Sequence, residues 1–180
     1  MRTTPSDSSP RPSADVADGP GPQLLALWRR LSPLPGGHRL FSLALGRRVP
    51  YSGSIGALVT LLEPGHSRVE LADRRAVRNH LQSIHAIALA NLGELATGLA
   101  ILVGLPAKVR GILVGIEIEY LKKARGRLVA ECRVVVPEIV AERTAFPAVA
   151  DIRDESGETV ARVRANWLLG PVTGGRRAGE

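Results

Sequence analysis

The chain has 180 residues and one cysteine, and its 24 Lys and Arg against 17 Asp and Glu give a formal net charge of +7. That length supports one domain with a real core plus an appendage, and the lone Cys132 excludes an internal disulfide and suits a reducing compartment. The charge favours an anionic partner, but two Phe, two Tyr and two Trp, with no helix-turn-helix, zinc-ligand or aromatic RNA-binding signature, argue against nucleic acid, and phosphate on a small ligand explains the same charge.

Residues 1–21 are rich in Pro, Ser, Asp and Gly without periodic apolar positions, which predicts a disordered tail. Arg2 leads into Thr3, Thr4 and Pro5 instead of an apolar run, so no secretory signal is expected and the cytoplasm is the expected location. Gln23–Leu31 predicts a short helix around Leu24, Leu27, Trp28 and Leu31. Gly37–Leu45 predicts a second, with Pro33, Pro35, Gly36 and Gly37 separating the two. Residues 22–49 thus form a helical arm on a main domain expected over 50–170, and residues 171–180 a second disordered tail.

Within the main domain, Ile55–Glu63 and Ser67–Leu71 read as strands joined by a hairpin turn at Pro64 and Gly65. A basic polar loop with Asp73, Arg74, Arg75 and Arg78 precedes a long apolar segment. Between Leu81 and Ala107 that segment carries one formal charge, Glu94. Gln82, Ser83, His85, Asn91, Glu94 and Thr97 interrupt it too often for a membrane span, which needs roughly 20 predominantly apolar residues. A soluble helix covered all round fits better. Four alternating segments follow: Ile112 to Tyr120, Leu128 to Val136, Thr144 to Ile152 and Thr159 to Trp167. Cys132 falls on the alternating core positions of the second, as small filler.

Two strands, one apolar helix and four strands make an α+β plan in which an antiparallel sheet wraps a central helix. That is the layout of the hotdog fold. An ionised carboxylate inside such a core must be desolvated, paired or working, so Glu94 is the first site candidate; a solvent-facing or backbone-bonded glutamate is the alternative.

Around Glu94 the spacing is specific. Asn79 stands six residues before His85, and Glu94 nine after it. In this the chain resembles the PaaI-like branch of the hotdog thioesterases, whose motif has an Asn, a His followed by Gly-Gly, and an acid at those intervals. Pro50-Tyr51-Ser52-Gly53, Arg78-Asn79-His80-Leu81 and the run Glu119 to Gly126 resemble the bacterial DUF4442 family, a hotdog group of undefined function. Where the thioesterases have His-Gly-Gly, this chain has His85-Ala86-Ile87. The backbone N–H survives at Ala86, while the bulk of Ile87 narrows the approach.

The resemblance implies hydrolysis of an acyl-CoA-like thioester, with Glu94 as general base or nucleophile and the Ala86 N–H as oxyanion donor. Asn79 would orient the water or the carbonyl, and His85 would hold the loop or assist by hydrogen bonding. A turn-forming Asn79 and a structural His85 remain open. Nine helical residues turn through about 900°, so His85 and Glu94 cannot share one face of one helix. His85 and Ala86 therefore belong to the turn where the helix begins, and the family's dimeric sites take the acid from one subunit and the His loop from the other. Arg78, Lys122, Lys123 and Arg125, with Arg74, Arg75 and Arg127 nearby, are candidates for the CoA phosphates or, alternatively, a solvated basic surface. Asn91, three residues before Glu94, either tunes it or bonds to backbone elsewhere. No metal or redox cofactor is expected, and His38, His66 and His80 show no zinc spacing. The expected partners are the thioester and further copies of the chain, as a dimer or tetramer joined along Ile112 to Tyr120, without membrane or nucleic acid. The rival readings are a non-catalytic hotdog domain that binds acyl-CoA or an acyl chain, and a hydratase or dehydratase on the same fold.

Overall fold

The computed structural model describes residues 19–172, so most of the tails expected over 1–21 and 171–180 lie outside the described residues, while Pro20 and Gly21 open a helix and Pro171 ends the last strand. The arm begins slightly earlier than expected. Its first helix, α1 (Pro20–Leu31), starts on a proline whose missing N–H costs nothing in the first turn. A second helix, α2 (Gly37–Arg48), packs against it: Trp28 stacks on His38 at 4.9 Å and meets Phe41 edge-on at 5.0 Å. Leu25, Trp28, Phe41 and Leu45 belong to the same buried core as the main domain. The Ser42 hydroxyl accepts the Val59 N–H at 2.9 Å, fastening the arm to the first strand.

A one-turn helix that the sequence did not suggest, α3 (Pro50–Gly53), leads into the hairpin of β1 (Leu58–Glu63) and β2 (His66–Leu71). After the loop at residues 72–85 comes the central helix α4 (Ala86–Leu102), then β3 (Val109–Tyr120), β4 (Leu128–Arg133), β5 (Thr144–Arg153) and β6 (Thr159–Pro171). The six strands form one antiparallel sheet in the order β1-β2-β4-β5-β6-β3. This is the hotdog arrangement expected from the pattern.

The helix lies against a floor of small and branched side chains. Val69, Ala130, Cys132, Ala148, Ala150, Val163 and Ala165 are all buried. Where α4 crosses β6, a side-chain carbon on Gly93 would stand 2.3 Å from Val163 Cγ2, so only glycine allows the approach. Ser67, also buried, donates to the Ala96 carbonyl at 2.6 Å and ties β2 to the helix. Burial pushes the Cys132 thiol up to about 12, which leaves it a protonated, inert filler.

One expectation about β3 needs correcting. Ile112, Val114, Ile116, Ile118 and Tyr120 do not share a face, because the pairing with β6 slips between Leu113 and Gly115. The extra residue reverses the alternation. Leu113, opposite Trp167, and Ile116, opposite Ala165, face the helix; Ile112, opposite Leu168, belongs to the other face. β3 is a sheet edge, with Ile112 and Val114 exposed at 48% and 62%. The outer face is otherwise polar: Glu131 contacts His66, Arg68 and Arg133, and Asp151 contacts Arg153 and Arg162. Among the described residues, no helix is long and apolar enough to cross a membrane.

Candidate functional site

The start of α4 is held from three sides. His85 is the N-cap, its ring Nδ1 accepting the Ile87 N–H at 3.1 Å, and its own N–H donates to the Val77 carbonyl at 2.8 Å. Ile84 N–H donates to the Ala124 carbonyl at 2.8 Å, which joins the helix entry to the β3–β4 turn. The Tyr120 hydroxyl donates to the Ala86 carbonyl at 3.2 Å. The first-turn N–H of Ala86 keeps no intrahelical acceptor and lies at the positive end of the helix dipole. The sequence reading of His85 and Ala86 as the turn where the helix begins matches this geometry.

Asn79 organises the preceding loop. Its side-chain Oδ1 accepts from Leu81 N–H at 2.9 Å and from the Ser83 N–H and hydroxyl, both at 3.2 Å. That is the turn-forming behaviour of asparagine, with the amide oxygen committed within its own loop. Asp73 locks the same region by accepting from Arg78 Nε at 2.6 Å and Gly126 N–H at 2.9 Å, and the Arg78 hydrogen bond holds its carboxyl below the usual range.

Glu94 sits deeper in α4, half-buried. Desolvation alone raises its carboxyl above the ordinary value, and among the described residues no cation or hydrogen-bond donor faces it. It stands at the junction of two clefts. An open groove is lined by Tyr51, Ser52, Ile87, Ala90, Asn91, Leu113 and Ile116. An apolar chamber of about 180 Å³ lies on the other side, walled by residues that include Leu24, Leu45, Leu99, Leu102, Leu105 and Trp167. Glu94 and Ser52 line both.

Asn91 donates from Nδ2 to the Tyr51 carbonyl at 3.2 Å, so it fixes α3 against α4 as the backbone-bonding alternative proposed. Its Oδ1 stays buried without a partner among the described residues. Ile87 is exposed and lines the open groove that contains Glu94.

The basic candidates divide. Arg78 is paired with Asp73, and Lys122 with Asp154 at 2.9 Å and with Glu158. Arg127 contacts Glu70 and Glu155, and Arg74 donates to the Ile55 carbonyl at 2.5 Å. Lys123 and Arg125 are exposed on the β3–β4 turn with no ion pair among the described residues. Also among the described residues, no group of three or more His, Cys, Asp and Glu gathers as a metal site.

Several site residues escaped the sequence reading. Ser52 and Tyr51 lie in a segment noticed only for its family likeness. Gly98 stands four residues after Glu94 and so on the same helical face, a spacing that could have revealed it. Trp167 was read as the end of a core alternation. Leu24 and Leu45 come from an arm with no assigned role.

A central helix wrapped by one antiparallel sheet, with a solitary half-buried acid between an open groove and an apolar chamber, defines a hotdog protein. The chain belongs to the DUF4442 family, a domain of unknown function, which it matches over residues 37–169. No curated protein matches it. Among solved structures, a structural genomics protein, APC5556, is 29% identical with a TM-score of 0.69, covering 83% of this chain and 99% of its own. PA5026 of Pseudomonas aeruginosa, a protein of unknown function named a probable thioesterase, is 23% identical with a TM-score of 0.66, covering 77% and 97%. A hypothetical thioesterase protein of Streptococcus pneumoniae TIGR4, solved with coenzyme A, is 18% identical with a TM-score of 0.58, covering 71% and 99%.

Proposed function

We propose that this protein hydrolyses an acyl-CoA thioester, with Glu94 as the reactive group. The observation that carries the reading is a desolvated, unpaired carboxylate between an open groove and an apolar chamber. The acyl group occupies the chamber and the pantetheine arm the groove. Glu94 takes a proton from water as the water oxygen attacks the carbonyl carbon, or attacks that carbon itself to form an anhydride that water then opens. In both routes the C–S bond breaks, and the sulfur leaves as CoA thiolate and is protonated. A helix start, supplied by a second subunit through its Ala86 N–H, stabilises the oxyanion.

Lys123 and Arg125, without an ion pair among the described residues, are the cations best suited to the CoA phosphates, whereas Arg78 and Lys122 must share their charge with existing partners. The coenzyme A bound to the pneumococcal relative supports that ligand class. The enzyme works as a dimer or larger assembly in the cytoplasm, where Cys132 stays reduced.

A second reading, an acyl-CoA-binding domain without catalysis, is favoured by one observation: the Asn79 amide oxygen is consumed by its own loop. Thiol release from a panel of acyl-CoAs separates the two. Hydrolysis by the wild type that falls about 10²–10⁴-fold in Glu94→Gln supports the catalytic reading, the usual size of a lost acid–base group. Tight binding without thiol release supports the other.

A further inference from the structure

We propose that the helical arm docks on the surface of a bilayer that contains anionic phospholipid, with the outer face of α2 and the turn between α1 and α2 entering the headgroup layer. Docking of this kind is independent of the thioesterase reading. Between Gly19 and Leu62 the chain has five arginines, Arg29, Arg30, Arg39, Arg47 and Arg48, and no Asp, Glu or Lys. All five are exposed, and none has an ion pair among the described residues. Residues 63–172 balance 15 Lys and Arg against 13 Asp and Glu, so the excess positive charge of the described residues sits mainly on the arm. Uncompensated charge of one sign suits an oppositely charged surface, and guanidinium groups match phosphate oxygens two at a time.

The charge is interleaved with exposed apolar side chains. α2 turns Gly37, Phe41 and Leu45 inward, where they are buried. Residues four apart on a helix differ by about 40° around its axis and residues three apart by about 60°. Arg39 and Arg47 therefore flank Leu43 on the opposite face, with Leu40 beside them. Leu40 and Leu43 are 52% and 54% exposed, and Leu34, in the turn between the two helices, is 54% exposed. A face that bound only a soluble polyanion would gain nothing from these leucines. At a bilayer they leave water for the acyl chains while the arginines beside them reach the phosphates. A second copy set face to face would instead oppose the arginines to one another. Lying on a bilayer needs no span, so the polar interruptions that exclude one in α4 do not bear on it. Because α2 also lends Leu45 to the chamber wall, docking brings that wall alongside the lipid.

The test is co-sedimentation of the full-length protein with vesicles of phosphatidylcholine alone or with about one-third phosphatidylglycerol, at low and high salt. The wild type is expected to bind the anionic vesicles at least about tenfold more tightly than the neutral ones, with the difference shrinking in high salt. Leu40→Ser with Leu43→Ser, and separately Arg39→Ser with Arg47→Ser, should each weaken binding to anionic vesicles about tenfold, melting curves showing that both remain folded. Equal binding of the wild type to both vesicles, or binding to neither, overturns the assignment whether or not the variants fold. Undiminished binding by the folded leucine variant overturns it too, since charge alone would then hold the protein. Tighter binding to polyglutamate than to anionic vesicles would point to an acidic protein as the partner, and a lower oligomeric state of the leucine variant in sedimentation velocity would give the face to a second copy; either result overturns docking on lipid.

Discussion

Glu94 binds its proton more tightly in the folded chain than in the unfolded one, because burial penalises the charged form and no opposite charge compensates. The sign of the linkage follows. Below the ordinary carboxylate range both states are protonated and the group costs nothing; as pH rises through the raised folded value, the ionised form destabilises the native state. Glu94→Gln is expected to melt at a higher temperature than the wild type at neutral pH, with the difference disappearing at acid pH, while activity is lost. Differential scanning fluorimetry across pH checks this, and a variant less stable than the wild type at pH 7 would show that the carboxylate is paired. Asn79 behaves oppositely: its Oδ1 accepts three hydrogen bonds, so Asn79→Ala should cost about 1–3 kcal/mol in denaturant unfolding. Of the residues proposed from sequence, Glu94 was legible because a lone charge interrupts an apolar run. The commitment of Asn79 to its own turn was not, since spacing cannot say which partner an amide meets.

The central helix was readable in the chain because the six-residue and nine-residue intervals about His85 leave its start at the cap, where α4 in fact begins. Its contact with the sheet was not readable. Gly93 looks like a poor helix former, and only the 2.3 Å that would separate its missing side chain from Val163 explains it. Gly93→Ala gains about 1 kcal/mol of helix propensity but should lose about 1–3 kcal/mol to overpacking, so a net loss is expected. Val163→Ala in the same chain should recover part of it, and a double-mutant cycle by chemical denaturation measures the coupling. The bulge in β3 was hidden for a related reason. Apolar residues at every second position look like one buried face, whereas the slip at Val114 leaves Ile112 and Val114 off the face that Ile116, Ile118 and Tyr120 share. Helix α3 was missed because four residues are too few for a periodic signal, yet it carries Tyr51 and Ser52 into the site.

At the scale of the molecule, the arm and the sheet edge do different work. The arm adds Leu24 and Leu45 to the chamber wall, so Leu45→Ala should extend the accepted acyl length in a kcat/KM series. The edge strand presents unpaired backbone beside the exposed Ile112 and Val114, a surface suited to joining a second copy. Val114→Lys should shift the protein toward monomer in sedimentation velocity and lower activity with it, if one subunit supplies the oxyanion donor to the other. The fold itself was legible from strand and helix order, because a sheet wrapped on one helix needs an apolar helix and alternating strands. The chamber was not, since its walls come from segments far apart in the chain. The most direct measurement of the central claim is the pH dependence of kcat/KM for acyl-CoA hydrolysis. The account predicts a single acidic limb, with activity falling as pH drops through a value above the ordinary glutamate range, and its loss in Glu94→Gln. A flat profile, or the same limb in the variant, would contradict it.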